Sequence, residues 1–155
     1  MEEQITVEYL EKFTVIYERK KGNYHDLAKE WCIFIEKYQH LATKDTLYIE
    51  CTIDDPSITD ENNCMYELCQ TISPDHPALK ENTDLLTHVF DGGMYAVYHF
   101  RGYPRFMFMV YQEIFCRWLA KTGNKLDNKP VLDIYRMVME DGYMEIEICF
   151  PLSVK

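Results

Sequence analysis

The clearest periodicity in the chain lies at residues 46–53, where Leu47, Ile49, Cys51 and Ile53 alternate with Tyr48, Glu50 and Thr52. Period two marks a strand whose successive side chains point to opposite faces. Residues 5–19 alternate more weakly but are rich in β-formers, predicting one or two strands that end at Gly22-Asn23. From 24 to 41 the period changes: Leu27, Ala28, Trp31, Ile35, Tyr38 and Leu41 follow the three-and-four spacing of an amphipathic helix. Turn chemistry from Asp54-Asp55-Pro56 to Asn62-Asn63 then precedes another strand at 65–72. Ser73-Pro74-Asp75-His76-Pro77 reads as a connector.

The second half repeats this order. Strands are predicted at 85–90 and 94–101, joined at Asp91-Gly92-Gly93 by a hairpin-type signal. A helix over 105–121 carries Phe108, Tyr111, Phe115, Trp118 and Leu119 on one side, and Gly123 ends it. Pro130 leads into a strand at 131–138, and Asp141-Gly142 turns the chain into a last strand at 143–150. Val15-Ile16-Tyr17 superposes on Ala96-Val97-Tyr98, and Glu67-Leu68-Cys69 on Glu147-Ile148-Cys149. The expectation is one α+β domain over residues 1–155 built from a duplicated βαββ unit, repeat one about 1–73 and repeat two about 85–155. Its sheet would be mostly antiparallel, with helices on one face.

Alternation assigns faces. If Leu132 and Ile134 face the helices, Asp133 and Tyr135 point away; the same logic turns Tyr48 and Glu50 away, and Ile146, Ile148 and Phe150 leave Glu147 opposite them. Glu67 matches Glu147 through the repeat, and Tyr17 and Tyr98 are expected to share a face. Carboxylates and phenols thus collect on the uncovered side. One reading is a wetted face, as antiparallel sheets commonly have. The other is a central cleft between the repeats that attracts a cation or a polarised apolar ligand.

Composition narrows the choice of partners. The 155 residues carry 26 acids against 16 bases, a net charge of -10, which opposes direct contact with a nucleic-acid backbone. No apolar run reaches the ~20 residues of a membrane span, and the acidic start carries no secretory signal. Six cysteines show no Cys-x-x-Cys pairing or histidines at zinc spacing, and most read as small buried hydrophobes in a cytoplasmic protein. Five histidines lack i, i+4 pairing, and Gly92-Gly93 follows no phosphate-loop pattern, so neither a metal nor a cofactor is expected. The 14% aromatic content divides into core rings such as Trp31, Phe115 and Trp118, and a set beside the carboxylates headed by Tyr48 and Tyr135.

At Gly93-Met-Tyr-Ala-Val-Tyr, Trp118-Leu, Pro130-Val-Leu-Asp-Ile-Tyr135 and Glu145-Ile-Glu-Ile-Cys-Phe-Pro-Leu152 the chain resembles the GyrI-like small-molecule-binding superfamily; Met65-Tyr-Glu-Leu-Cys69 is similar to that family's first-repeat strand. The resemblance implies a pseudo-two-fold pair of βαββ units around a cleft. Its members include effector-binding domains of bacterial multidrug-type transcription regulators, gyrase inhibitors and hydrolases of cyclopropane-bearing compounds. In the sensors a Glu before the Ile/Val-Tyr pair of the penultimate strand commonly meets the ligand's positive charge, and here the residue is Asp, shorter by one methylene. Asp133 stands there with Tyr135, and Glu147 keeps the acid four residues before the final Pro.

Three functions follow as expectations. The first is effector sensing or sequestration of a hydrophobic or cationic small molecule, with Glu147, Asp133, Tyr135, Tyr48, Glu50, Glu67 and Trp118 as ligand contacts. A DNA-binding domain, a partner protein and a second copy of the chain are the candidate macromolecular partners. The second is hydrolysis, with Glu147 or Asp133 as general acid/base and Tyr135 orienting water or donating a proton. The third is gyrase inhibition through an acidic surface.

Overall fold

Every predicted strand forms, but two of them pair with partners that chain order does not suggest. The computed structural model describes residues 4–23, 26–53, 58–82 and 84–153. The order is β1 (Ile5–Leu10), β2 (Phe13–Lys21), α1 (Leu27–Tyr38), β3 (Tyr48–Thr52), β4 (Met65–Ile72), α2 (Ala78–Glu81), β5 (Thr87–Phe90) and β6 (Gly93–Gly102). There follow α3 (Met107–Gln112), a π-helical segment (Glu113–Trp118), α4 (Leu119–Thr122), β7 (Leu132–Val138) and β8 (Met144–Pro151). The expected turn at Asp54-Asp55-Pro56 and the first two residues of the expected first helix, Tyr24 and His25, lie outside the described residues.

The chain divides into two units. The first, Lys12–Asp91, orders its strands β3-β4-β2-β5, all antiparallel. The second combines Met1–Glu11 with Gly92–Lys155 and orders its strands β1-β6-β8-β7, again antiparallel. Each unit therefore has the same βαββ plan plus one lead strand, and the lead strands are exchanged. The strand β1, expected with repeat one, pairs with β6, while β5 pairs with β2. The hairpin expected at Asp91-Gly92-Gly93 does not form; that tripeptide carries the chain from one unit to the other. Turn chemistry specifies a reversal but not which strand receives it, so the boundaries near 73 and 85 move to 11 and 91.

In the second unit the core lies between the sheet and the helical segment. Val110, Ile114 and Trp118 pack with Ala96, Tyr98, Phe100, Ile146, Ile148 and Phe150, and Tyr135 joins the edge of this cluster. Phe150 meets Tyr111 and Phe115 edge-on at centroid distances of 5.4 and 5.9 Å. Burying each aliphatic side chain contributes about 1.5–3 kcal/mol, which holds a helix that is interrupted by six π-helical residues.

In the first unit α1 lies on the face of Ile16, Glu18, Leu68 and Gln70. The amide Nε2 of Gln70 donates to the Tyr38 carbonyl at 3.1 Å, and the Tyr38 hydroxyl donates to Glu18 Oε2 at 2.5 Å. The buried rings of α1, Trp31, Phe34 and Tyr38, form a chain of edge and tilted contacts that begins at Tyr48.

Candidate functional site

Residues directly opposite each other in antiparallel strands share a face, so the register fixes where each acid points. Asp133 pairs with Ile148 and Tyr135 with Ile146, both members of the helix-packed cluster. Asp133 and Tyr135 therefore stand on the helix-covered side, opposite to the expectation, while Leu132 and Ile134 share the other face with Cys149 and Glu147. The first unit repeats the inversion. Tyr48 pairs with Gln70 and Glu50 with Leu68, placing both beneath α1, whereas Glu67 shares the other face with Cys51, Cys69 and Arg19. The physical reason is that both faces of these strands are apolar: Leu132, Ile134, Ile49, Cys51 and Cys149 are all buried. Alternation reports that a strand has two sides, but not which of two apolar sides a helix covers.

The same register corrects the repeat alignment. Glu67 and Glu147 match as expected, but Tyr17 pairs with Cys69 whereas Val97 pairs with Cys149. Tyr17 thus corresponds to Val97, one residue off the expected superposition, and one residue is enough to change face. Tyr17 lies on the face opposite α1 in its unit and Tyr98 on the helix side.

Two kinds of acid result. Glu50 opposite Leu68 and Asp133 opposite Ile148 occupy the same register position in their own units. Both are helix-covered and almost fully buried, at 4% and 3% exposure. Thr52 Oγ1 donates to Glu50 Oε1 at 3.5 Å. The neighbouring Tyr66 phenol, buried on the same face, is pushed up to about 12 by that burial first and by Glu30, Glu50 and Asp26 after it. It stays protonated, able to donate. Trp31 meets Tyr48 edge-on at 6.1 Å, and Trp118 is buried in the cluster that Tyr135 adjoins.

Glu67 and Glu147, on the opposite faces, are engaged by side chains of neighbouring strands in their own units. Arg19 Nε and Nη2 both donate to Glu67 Oε2, at 3.1 and 2.8 Å, and His88 Nε2 lies 3.2 Å from the same oxygen. The His88 ring stacks on Tyr17 at 3.7 Å between centroids. In the second unit Arg136 donates through Nε and Nη2 to the two oxygens of Glu147, each at 3.1 Å. Such two-point contacts are the strongest that arginine makes with a carboxylate. A register shift between Tyr135 and Met137 supplies the extra residue, Arg136, that makes this contact.

Tyr135 and Glu147 accordingly project from opposite faces and do not form the acid/base pair considered from sequence. Asp133 and Tyr135 do share a face, two residues apart. Among the described residues no group of three or more His, Cys, Asp and Glu could hold a metal ion. Among the same residues no helix is long and apolar enough to cross a membrane. Residues that pattern reading missed include Tyr66, Arg19, His88 and Arg136. The signal that finds them is register, since Arg19 lies directly opposite Glu67.

A comparison with curated protein sequences finds no match. Among solved structures the chain is similar to the EcmrR C-terminal domain, with 14% identity, TM-score 0.77 and 98% of each chain covered. In an EcmrR–DNA complex the similarity, at TM-score 0.78, covers 98% of this chain and 58% of that one. The chain thus spans little more than half the EcmrR polypeptide. Further likeness is found to SAV2435 bound to tetraphenylphosphonium, with 15% identity, TM-score 0.62 and 96% and 93% coverage. A hydrolase from Listeria innocua matches with 12% identity, TM-score 0.66 and 97% and 92% coverage. These likenesses establish the shared fold. A family model matches residues 3–153, and on that match the chain belongs to the GyrI-like small molecule binding domain family.

Proposed function

We propose that this chain binds a hydrophobic organic cation on the helix-covered side of its strands and works as an effector sensor for transcription. Asp133 and Glu50 supply the charge, and Tyr135, Trp118 and Tyr48 supply the aromatic surface. The observation that carries the reading is the burial of Asp133 and Glu50, each beneath aromatic-bearing helical segments at one register position. Burying a carboxylate costs several kcal/mol, and a cation delivered by a ligand lowers that cost while its apolar body gains from the rings. That EcmrR is seen on DNA and that SAV2435 is seen with tetraphenylphosphonium support the two halves of the reading.

Glu67 and Glu147 then have a structural task, pinning Arg19 and Arg136 across their sheets. Signal output requires a DNA-binding partner or domain, because the net charge of -10 opposes DNA contact by this part of the molecule. Six free cysteines support a reducing, cytoplasmic setting.

Isothermal titration with tetraphenylphosphonium tests the site. Asp133→Asn is expected to weaken binding about tenfold or more, a loss of at least about 1.4 kcal/mol, and Glu147→Gln to leave it within about twofold. Equal affinity in the wild type and Asp133→Asn overturns the assignment.

A further inference from the structure

The helical stretch from Arg105 to Thr122 turns Val110, Ile114 and Trp118 to the core, and its other side carries an apolar surface. Phe108 is 58% exposed, and Met109 and Phe115 are close to half exposed. Phe108 and Met109 stand outside the buried cluster. Seven residues, about two turns of helix, separate Phe108 from Phe115 and Met109 from the exposed Cys116, so the four form one stripe. With Phe106 just ahead of it, this surface amounts to roughly 400 Å², a size at which exposed apolar patches are often functional.

Charge sets this face apart from the rest of the chain. In a protein with 26 acids against 16 bases, the exposed charges between 105 and 122 are Arg105, Arg117 and Lys121, all positive, while the acid of the stretch, Glu113, is buried. The exposed side of α1, by contrast, mixes Lys29 and Lys37 with Glu36. Arg105 lies over the rings of Tyr103 and Phe106, at 4.9 and 4.8 Å from their centroids. Such stacking orders a flexible side chain before any partner arrives, and arginine among aromatic rings is the composition of binding hot spots. An open depression of about 300 Å³ lies where α3 passes into the π-helical segment, walled by Met109, Gln112, Cys116 and Arg117. It has room for one large apolar side chain, entering as a knob enters a hole between helical turns.

We infer that this face docks an acidic amphipathic helix of a partner protein. Apolar side chains of that helix cover Phe108, Met109 and Phe115, one of them enters the depression, and its carboxylates meet Arg105, Arg117 and Lys121. From Arg105 to Lys121 the stretch rises about 24 Å, which sets the matching partner segment at about 16 residues. A second copy of the chain fits less well, since a two-fold contact through this face brings the same three cations together with no acid between them. A nucleic acid or an anionic membrane meets the net charge of -10 on the whole chain. The inference is independent of Asp133 and its ligand.

Fluorescence anisotropy of the full chain with a fluorescein-labelled peptide of repeated Leu-Glu-Glu-Leu-Leu-Glu-Glu heptads tests it. The expected result is saturable binding at low salt with a Kd of about 10–100 μM, weakened about tenfold or more by Phe108→Ser and by Arg105→Glu combined with Arg117→Glu. Salt at about 0.3 M should weaken it several-fold. The same peptide with lysine in place of glutamate is expected not to bind, and Asp133→Asn to bind the acidic peptide as the wild type does. Equal affinity in wild type and Phe108→Ser overturns the assignment, as does equal affinity in the charge-reversed variant or absence of saturable binding up to about 1 mM. Saturable binding of oligothymidine or of phosphatidylglycerol vesicles that is lost in Phe108→Ser also overturns it, because the face then belongs to that partner. If the charge-reversed variant does not fold, judged by near-ultraviolet circular dichroism, Phe108→Ser decides on the same criterion.

Discussion

Glu18 holds α1 over the buried Glu50, and neutralising it should loosen that helix in a pH-dependent way. The carboxylate accepts from Lys37 Nζ at 2.7 Å and from the Tyr38 hydroxyl, and Lys20 Nζ approaches its other oxygen at 3.0 Å. Burial alone would raise its pKa, but Lys37, Tyr38 and Lys20 together bring it from 4.5 down to about 2. That difference corresponds to at most about 3.4 kcal/mol. Because the Lys37 side chain is 60% exposed, screening reduces this to about 1–2 kcal/mol. A depressed carboxyl pKa stabilises the fold above 4.5, and the contribution fades as pH falls from 4.5 towards 2. Glu18→Gln should therefore lower Tm by about 3–6 °C at pH 7. Thermal unfolding followed by circular dichroism from pH 7 to pH 3.5 should show the gap between variant and wild type narrowing below pH 4.5. A gap that is constant across this range, or absent at pH 7, refutes the reasoning.

Cys69 and Cys149 have thiols pushed well up, mainly by burial, whereas Cys32 and Cys116 are exposed. A disulfide reagent on the native protein at pH 8 should therefore modify those two fast and the four buried cysteines only on unfolding. Gly123 ends α4 at φ +73°, a left-handed position that favours glycine, and nothing lies within 4 Å of an added Cβ. Gly123→Ala should cost about 1 kcal/mol from backbone strain alone, read as a fall in Tm of about 2–4 °C.

Element type and order were legible because each segment's period is distinct. Leu47 to Ile53 alternates, and Trp31, Ile35 and Tyr38 step by three and four. The match of Glu67 to Glu147 was also legible, from a tripeptide repeated in matching strands. What the sequence withheld was relational. The pairing of β1 with β6 and of β5 with β2 depends on which edge each strand meets, and neither carries a local mark of that choice. Asp133 and Glu50 looked outward because a charged residue beside Leu132 or Ile49 is ordinarily the wet one. Here the apolar neighbours are buried as well, so the rule inverts. The buried Glu113 was hidden for a similar reason: within an amphipathic helix an acid reads as solvent-facing, and only burial distinguishes it.

In the proposed mode of binding, ligand meets the helix-covered acid Asp133 rather than the arginine-bound Glu147 on the opposite face. A crystal of the chain soaked with tetraphenylarsonium, whose arsenic scatters anomalously, tests it directly. An anomalous peak is expected on the helix side of β7, beside Asp133 and Tyr135. A peak beside Glu147 and Arg136, with none on the helix side, would contradict it.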